Sequence, residues 1–331
     1  LHDSQALRAQ LIEDPTLNPN YRQYFKNRVA TKQYELDGNL DRWQAYVEET
    51  LPQLPKKLVG VRAALLSDLA RIYRFRGDID NALANYRASG DAHDRGGLQW
   101  DVQRELNIAE TLLSGGQIVQ AHEALKATLS KMTGGLLQRR GNDVYRNLGL
   151  LAFFRGAYEE ATSHLRQALS YCSFTGLPYT ACWMNAQLAM GEFLLGHRES
   201  AAERFARHVP QKSTTDHQVA LALTYYALFQ LHCGESEEGE ALWGAAEAVL
   251  ARYSTLDSAG WRTLWDTHRA VAETEAPAVF EAAAALCAAD VYRVPREPIA
   301  KQHFIQPGAP GHWLHVILLE ELVKRKNPPR P

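Results

Sequence analysis

The sequence has few of the residues that sulfur chemistry and metal binding need. Among 331 residues there are only four cysteines, Cys172, Cys182, Cys233 and Cys287, and no two of them form a CxxC pair. A zinc knuckle and a redox dithiol both need such closely spaced cysteines, so neither is indicated. We expect the four thiols to be reduced and packed in the core of a cytosolic protein.

Excess charge and long apolar runs are also missing. The formal net charge is -2, which argues against nucleic acid or an anionic membrane as the main partner of this fragment. No apolar run approaches the roughly 20 residues that span a bilayer, and the amino end has no secretory core. We therefore expect a soluble, cytoplasmic protein that binds neither nucleic acid nor membrane.

Catalytic patterns are scarce as well. The adjacent pair His232 and Cys233 would point about 100° apart on a helix, which disfavours activation of the thiol by the imidazole. The chain contains no HExxH motif and no glycine-rich phosphate loop followed by lysine and a hydroxyl residue. The sequence thus predicts no catalytic residue, no metal and no cofactor, and a protein that is not an enzyme.

What the chain does contain is an internal repeat marked by six glycines, separated by 39, 39, 40, 40 and 38 residues. They are Gly38, Gly77, Gly116, Gly156, Gly196 and Gly234. Seven residues before the glycines stand Thr31, Ala70, Ala109, Gly149, Ala189 and Ala227. Five residues after them stand Trp43 in the first repeat and, in the other five, the small residues Ala82, Ala121, Ala161, Ala201 and Gly239. Small residues on both sides of a glycine predict two closely packed helices joined by a tight turn.

The segments around the glycines have helical periodicity. In LLSDLARIYRFRGDIDNALANYRAS, residues 65–89, apolar residues mark one face of a helix on each side of Gly77. No segment alternates apolar and polar residues over a strand's length, so we expect essentially no sheet.

These repeats resemble those of the tetratricopeptide repeat (TPR) family, in which an aromatic residue or leucine follows the second small residue by four positions. Here that position holds Val47, Tyr86, Leu125, Leu165, Phe205 and Trp243. The resemblance implies an all-α fold, a right-handed α-solenoid of about six to seven TPR-like helical hairpins with capping helices. The units are longer than the family's common unit of about 34 residues. Extended units of this kind are similar to those in bacterial regulators, including the sensor arm of maltose-regulator-type signalling ATPases and peptide-pheromone receptors, and in kinesin light chains.

The register divides the chain into four segments. We predict an N-terminal cap over residues 1–20, six repeats over 21–252, a degenerate seventh hairpin over 253–292, and a proline-rich loop with a C-terminal capping helix over 293–331. The seventh hairpin lacks the glycine, and Pro277 suits the first turn of its second helix.

In a solenoid of the TPR type, first-helix residues line the concave face, and this is where we place the ligand. Two residues before the small position, three successive repeats carry a carboxamide: Asn107, Asn147 and Gln187. A carboxamide both donates and accepts hydrogen bonds, so such a ladder can bind the backbone of an extended peptide. The alternative is that each amide bonds only to a neighbouring helix.

Other residues predicted on the same groove are mostly apolar. They are Arg146, Phe153, Trp183, Met190, Phe193 and Tyr225, and Arg71, Arg74 and Glu110 lie on the same face. The aromatic residues could form a pocket for an apolar anchor, or could simply be core residues. A clamp for a terminal carboxylate is not expected near Arg28, because Asp68 would repel that group.

Two functional hypotheses follow. The first is a non-enzymatic scaffold that holds a peptide or protein segment in the concave groove. The second is the peptide- or small-molecule-sensing arm of a larger bacterial signalling ATPase or transcription regulator, whose effector part would precede Leu1. Self-association into a homo-oligomer is left open by the sequence.

Overall fold

The computed structural model describes residues 10–91, 98–175, 178–210, 215–253, 256–289, 291–294 and 311–327. These residues form helices and connecting turns, and no strand occurs among them. The helices are α1 (Pro19–Asp37), α2 (Leu40–Gln53), α3 (Val59–Phe75), α4 (Ile79–Asp91), α5 (Leu98–Ser114), α6 (Ile118–Lys131), α7 (Gly134–Phe154), α8 (Tyr158–Thr175), α9 (Pro178–Leu194), α10 (Arg198–His208), α11 (His217–His232), α12 (Ser236–Leu250), α13 (Ser258–Glu273), α14 (Pro277–Ala288) and α15 (Gly311–Lys326).

Each of the six repeat glycines ends the first helix of a hairpin. All six have positive φ, between 64° at Gly38 and 95° at Gly234, a region that side chains with a Cβ rarely adopt. The residue after each glycine donates its backbone N–H to the carbonyl five residues earlier, as Asp78 does to Tyr73 at 2.9 Å. This bond is typical of a Schellman turn and satisfies a carbonyl at the helix end. The predicted hairpin turns are confirmed.

The predicted small positions lie where paired helices approach most closely. Gly149 of α7 faces α8, where a Cβ built on it would lie 3.3 Å from the Ala161 carbonyl oxygen and 3.1 Å from a Leu165 side-chain carbon. Gly239 of α12 faces α11 in the same way, with the Ala227 carbonyl at 3.0 Å. Close axes let the residues between the helices be fully buried.

The hairpins stack so that first helices line one face of the array. First helices of successive hairpins contact each other, for example α9 with α11 and α11 with α13, whereas comparable contacts between two second helices are absent from the described residues. First helices therefore lie on the inner, concave side. The molecule is an all-α solenoid of helical hairpins, as the sequence predicts.

The last helix, α15, lies inside this concave face. Trp313 packs against Phe154 of α7 with ring centroids 5.2 Å apart, and His315 packs against Tyr225 of α11 at 4.6 Å. Further along, Arg325 donates to the carbonyl of Leu194 at the end of α9. The sequence predicts that this helix caps the end of the stack. The difference has a simple cause: residues 312–319 are all buried, and a helix that is apolar on every side is covered best inside the groove.

The two ends of the repeat array meet. Tyr253, which follows α12, donates its hydroxyl to the carbonyl of Glu35 at the end of α1, and its ring lies 5.7 Å from Phe75 and 5.2 Å from His217. Arg252 packs on Gly38. We call this contact of the sixth hairpin with the first two hairpins the seam. It closes the concave face into a ring.

The four-segment division of the chain stays a prediction. Most of the proposed N-terminal cap and of the proline-rich loop falls outside the described residues. In the seventh hairpin, α13 and α14 contact each other, and α14 begins at Pro277.

Candidate functional site

The ring encloses a cavity of about 490 Å³ in the half of the concave face that α15 leaves open. Its wall is made chiefly by first helices, from α1 and α3 on one side to α9 and α11 on the other. A volume of this size lies within the range of roughly 300–1,000 Å³ found for small-ligand sites.

The position two residues before the small residue lines this cavity in four successive hairpins. These residues are Asp68, Asn107, Asn147 and Gln187. The three carboxamides of the predicted ladder therefore share one wall. Asn107 accepts from Gln103 at 3.0 Å, and Asn147 donates to Glu110 at 3.3 Å, a long bond. Both amides thus have local partners, which was the alternative interpretation, and both remain at the cavity surface.

The predicted apolar pocket does not lie at the cavity. Phe153 and Met190 are 1% and 0% exposed and belong to the core, with Phe153 packed against Gly191. Phe193 pairs with Phe229 at 5.4 Å between hairpins. Of the aromatic candidates, Trp183 alone is part of the wall, so the apolar anchor assigned to this set is corrected to a core role for Phe153, Met190 and Phe193.

The wall is instead rich in charge, beginning with a cluster at α1 and α3. Asp68 is buried and accepts from Arg28 at 3.1 Å and from Arg71 at 2.9 Å. Arg71 also pairs with Glu35 at 3.0 Å, and Lys32 pairs with Glu35 at 3.1 Å. Burial alone would raise the pKa of Glu35, but Arg71 and Lys32 outweigh it and lower the pKa to about 2. The repulsive Asp68 expected from the sequence is thus neutralised.

A second cluster centres on Glu110 of α5. Arg74 of α3 donates to one of its carboxylate oxygens at 2.6 Å, and Arg146 of α7 donates to the other. Burial would raise the pKa of Glu110, but the two arginines dominate and lower it to about 2. The carboxylate therefore stays ionised and holds together arginines from the two neighbouring hairpins.

On the far wall, Arg146 lies with Trp183 and Gln187, and Tyr225, which is fully buried, packs behind them. The Arg146 guanidinium lies 4.8 Å from the centroid of the Trp183 ring, a cation–π contact. The Tyr225 hydroxyl lies beside the Trp183 and Gln187 side chains, and burial raises its pKa. Gln187 is 3% exposed, yet its Oε1 has no hydrogen-bond donor among the described residues. A buried acceptor without a donor costs free energy, so this atom favours a ligand that supplies an N–H.

The rim of the cavity carries weaker ion pairs. Arg104 lies 3.4 Å from Asp101, and Arg140 lies 3.8 Å from Asp143. Burial raises the pKa of Asp143 despite Arg146 nearby. The partners are one turn apart on a single helix in each case, and the Arg104–Asp101 pair, in which Asp101 is exposed, contributes little.

The side chains of this cavity can hold a ligand through hydrogen bonds and charge. They include carboxylates already engaged by arginine, amides and one indole. No group of three or more histidine, cysteine or acidic residues within the described ranges could hold a metal ion. None of the helices in the described part of the chain is both long and apolar enough to cross a membrane. The absence of a nucleic-acid partner, cytoplasmic location and self-association stay predictions.

Comparison with known proteins bears on the fold. No protein-family model matches the chain, and no curated protein matches its sequence. Among solved structures, the chain is similar to a Rap protein in complex with competence and sporulation factor, with a TM-score of 0.55 and 14% sequence identity over 86% of this chain and 82% of the Rap chain. At that identity the similarity shows the fold alone, which is a helical-repeat solenoid in both.

Proposed function

We propose that this protein is a non-enzymatic receptor for a short peptide segment, which it holds in the ring cavity. The observation that carries the proposal is the wall of Asn107, Asn147 and Gln187 on three successive first helices, with Gln187 Oε1 buried and lacking a donor. Amides at a regular spacing can bond to the backbone of an extended chain whatever its side chains are.

The fold and the cavity size support this proposal. The Rap protein of the same fold was solved as a complex with a factor that it binds. Because α15 occupies the rest of the concave face, and the seam residues Glu35, Phe75 and His217 form part of the cavity wall, the cavity volume suits a few residues of peptide rather than a long partner segment.

The same enclosed volume supports a second candidate, in which the ligand is a small molecule and the chain is the sensing arm of a larger regulator. Drug-sized ligands are usually buried in cavities of this size. Effects on an effector domain would then pass through the small rotations that stacked hairpins share.

The test is native mass spectrometry of the chain with a mass-encoded library of peptides of four to six residues. We expect retained peptides that are released by the triple change Asn107→Leu, Asn147→Leu and Gln187→Met, which removes the amides without changing charge or greatly changing size. Loss of three hydrogen bonds predicts about 100-fold weaker binding.

The matched control changes three exposed amides on second helices: Asn81→Leu, Gln120→Met and Gln167→Met. It should bind like the parent chain. Helix content and thermal unfolding establish that both triples fold. A library from which nothing is retained contradicts a peptide ligand, and retained peptides indifferent to the ladder triple contradict the assigned wall.

A further inference from the structure

The charge of the cavity wall restricts the chemical class of the ligand more than the shape of the cavity does. Among the residues that line the cavity, only the cluster around Glu110 has more cations than anions. There, Arg74 and Arg146 face a single carboxylate. In the cluster at α1 and α3, the lining residues Arg28 and Arg71 are balanced by Glu35 and Asp68. The Glu110 cluster therefore carries a net charge of +1, while the two rim pairs balance.

The surplus charge in the Glu110 cluster is available to a ligand. Arg74 and Arg146 each use one guanidinium nitrogen on Glu110, and neither has another hydrogen bond within the described residues. A guanidinium has five N–H donors, so most of them remain free to bond. The side chains are 17% and 10% exposed, and both residues line the cavity.

The geometry also fixes these two arginines in place. Glu110 holds both, the Phe75 ring lies 5.8 Å from the Arg74 guanidinium, and Trp183 lies under that of Arg146. Fixed guanidinium groups lose little conformational freedom on binding, and their planar donor pattern matches a carboxylate. A ligand carboxylate beside them would bring the cluster to zero charge.

We propose that the ligand of this cavity is acidic, and that Arg74 and Arg146 together bind one of its carboxylates. The carboxylate is either the C-terminus of a peptide or an aspartate or glutamate side chain. This inference rests on the proposed peptide-receptor function and adds the chemical class of the peptide.

The first experiment uses the parent chain and the peptide library in two forms, with free C-terminal carboxylates and with C-terminal amides. We expect retained peptides to be enriched in carboxylates at least tenfold over the library, as a charge-assisted hydrogen bond predicts. Loss of retention on amidation assigns the C-terminus. Retention of amides rich in aspartate or glutamate assigns a side chain.

The second experiment compares Arg74→Gln and Arg146→Gln with Arg207→Gln by titration calorimetry, using a retained peptide and its uncharged form. Arg207 pairs with Glu203 on the outer surface and serves as the control. We expect each cavity variant to weaken the charged peptide about tenfold and the uncharged form much less. Equal weakening of both forms would mean that the arginines act only through the structure, and it would overturn the inference.

The two proposals fail in different ways. Peptides retained without any preference for carboxylates overturn the acidic ligand and leave the peptide receptor intact. Retention of no peptide contradicts the receptor itself.

Discussion

At the scale of single residues, one buried histidine joins three helices through hydrogen bonds. His268 of α13 is fully buried and hydrogen-bonds through Nδ1 to His232 of α11 at 3.1 Å, and through Nε2 to the His315 carbonyl of α15 at 3.0 Å. A carbonyl only accepts, so Nε2 of His268 carries a proton, and in a neutral ring Nδ1 then accepts from Nε2 of His232. Burial disfavours the charged form of both imidazoles, which keeps the pair neutral near pH 7.

This pair makes the fold sensitive to acid. Burial lowers the pKa of His268 from 6.5 to about 3, and burial together with His268 and Lys326 lowers that of His232. Because the pKa of each histidine is lower in the folded than in the unfolded protein, the neutral pair contributes its full stability above pH 6.5. This contribution is lost as the pH falls towards 3. We expect the free energy of unfolding to fall by about 2 kcal/mol or more between pH 7 and pH 5.

Chemical denaturation across that range measures the effect before carboxylates with ordinary values near 4.5 are protonated. In His268→Gln, the free energy of unfolding should fall clearly less over the same pH interval. A parent protein whose stability stays flat from pH 7 to pH 5 would contradict the neutral pair.

At the scale of helices, the turn glycines and the small residues were predictable from the sequence. The backbone conformation of the turn and the close approach of two helices are both set within a single hairpin. A positive φ at Gly77 and a close approach at Gly149 depend on the hairpin that contains them. The place of α15 was not predictable in this way, because an apolar helix at the end of a chain fits equally a cap and a groove. Arg74, Glu110 and Arg146 were predicted on the groove face, but their ion pairs were not, because Glu110 and its two arginines lie 36 residues apart on different hairpins.

A pair of glycine substitutions separates the close-packed positions from ordinary helical ones. Gly149→Val should lower the free energy of unfolding by about 1–3 kcal/mol, because its Cβ already meets Leu165 at 3.1 Å and the branched methyl groups add to the clash. Gly244→Val is the control, since nothing lies within 4 Å of a Cβ there. It should be neutral or slightly stabilising, because valine has a better helix propensity than glycine. If urea denaturation shows that Gly149→Val and Gly244→Val lower the free energy of unfolding equally, the close approach of α7 and α8 is contradicted.

At the scale of the whole molecule, the seam sets this solenoid apart from an open array. In stacked repeats each hairpin contacts mainly its neighbours, so stability is approximately a sum of local terms. Tyr253 instead joins the sixth hairpin to the first through Glu35 and to the second through Phe75. The sequence could not reveal this contact, because closure depends on small rotations added over six hairpins.

The seam predicts a change of shape without loss of helices. Tyr253 is 3% exposed, and Tyr253→Ala removes its hydroxyl bond to Glu35 and its contacts with Phe75 and His217. We expect the free energy of unfolding to fall by about 3 kcal/mol, which is typical of a deleted buried aromatic ring. Most of this effect should appear as opening of the seam, because the interfaces between neighbouring hairpins stay intact. Small-angle X-ray scattering should then show a larger radius of gyration at unchanged helix content. Tyr179→Ala is the control, because Tyr179 is 40% exposed, and it should leave the radius as it was. If Tyr253→Ala keeps the parent radius, other contacts close the ring and the cavity is bounded without the seam.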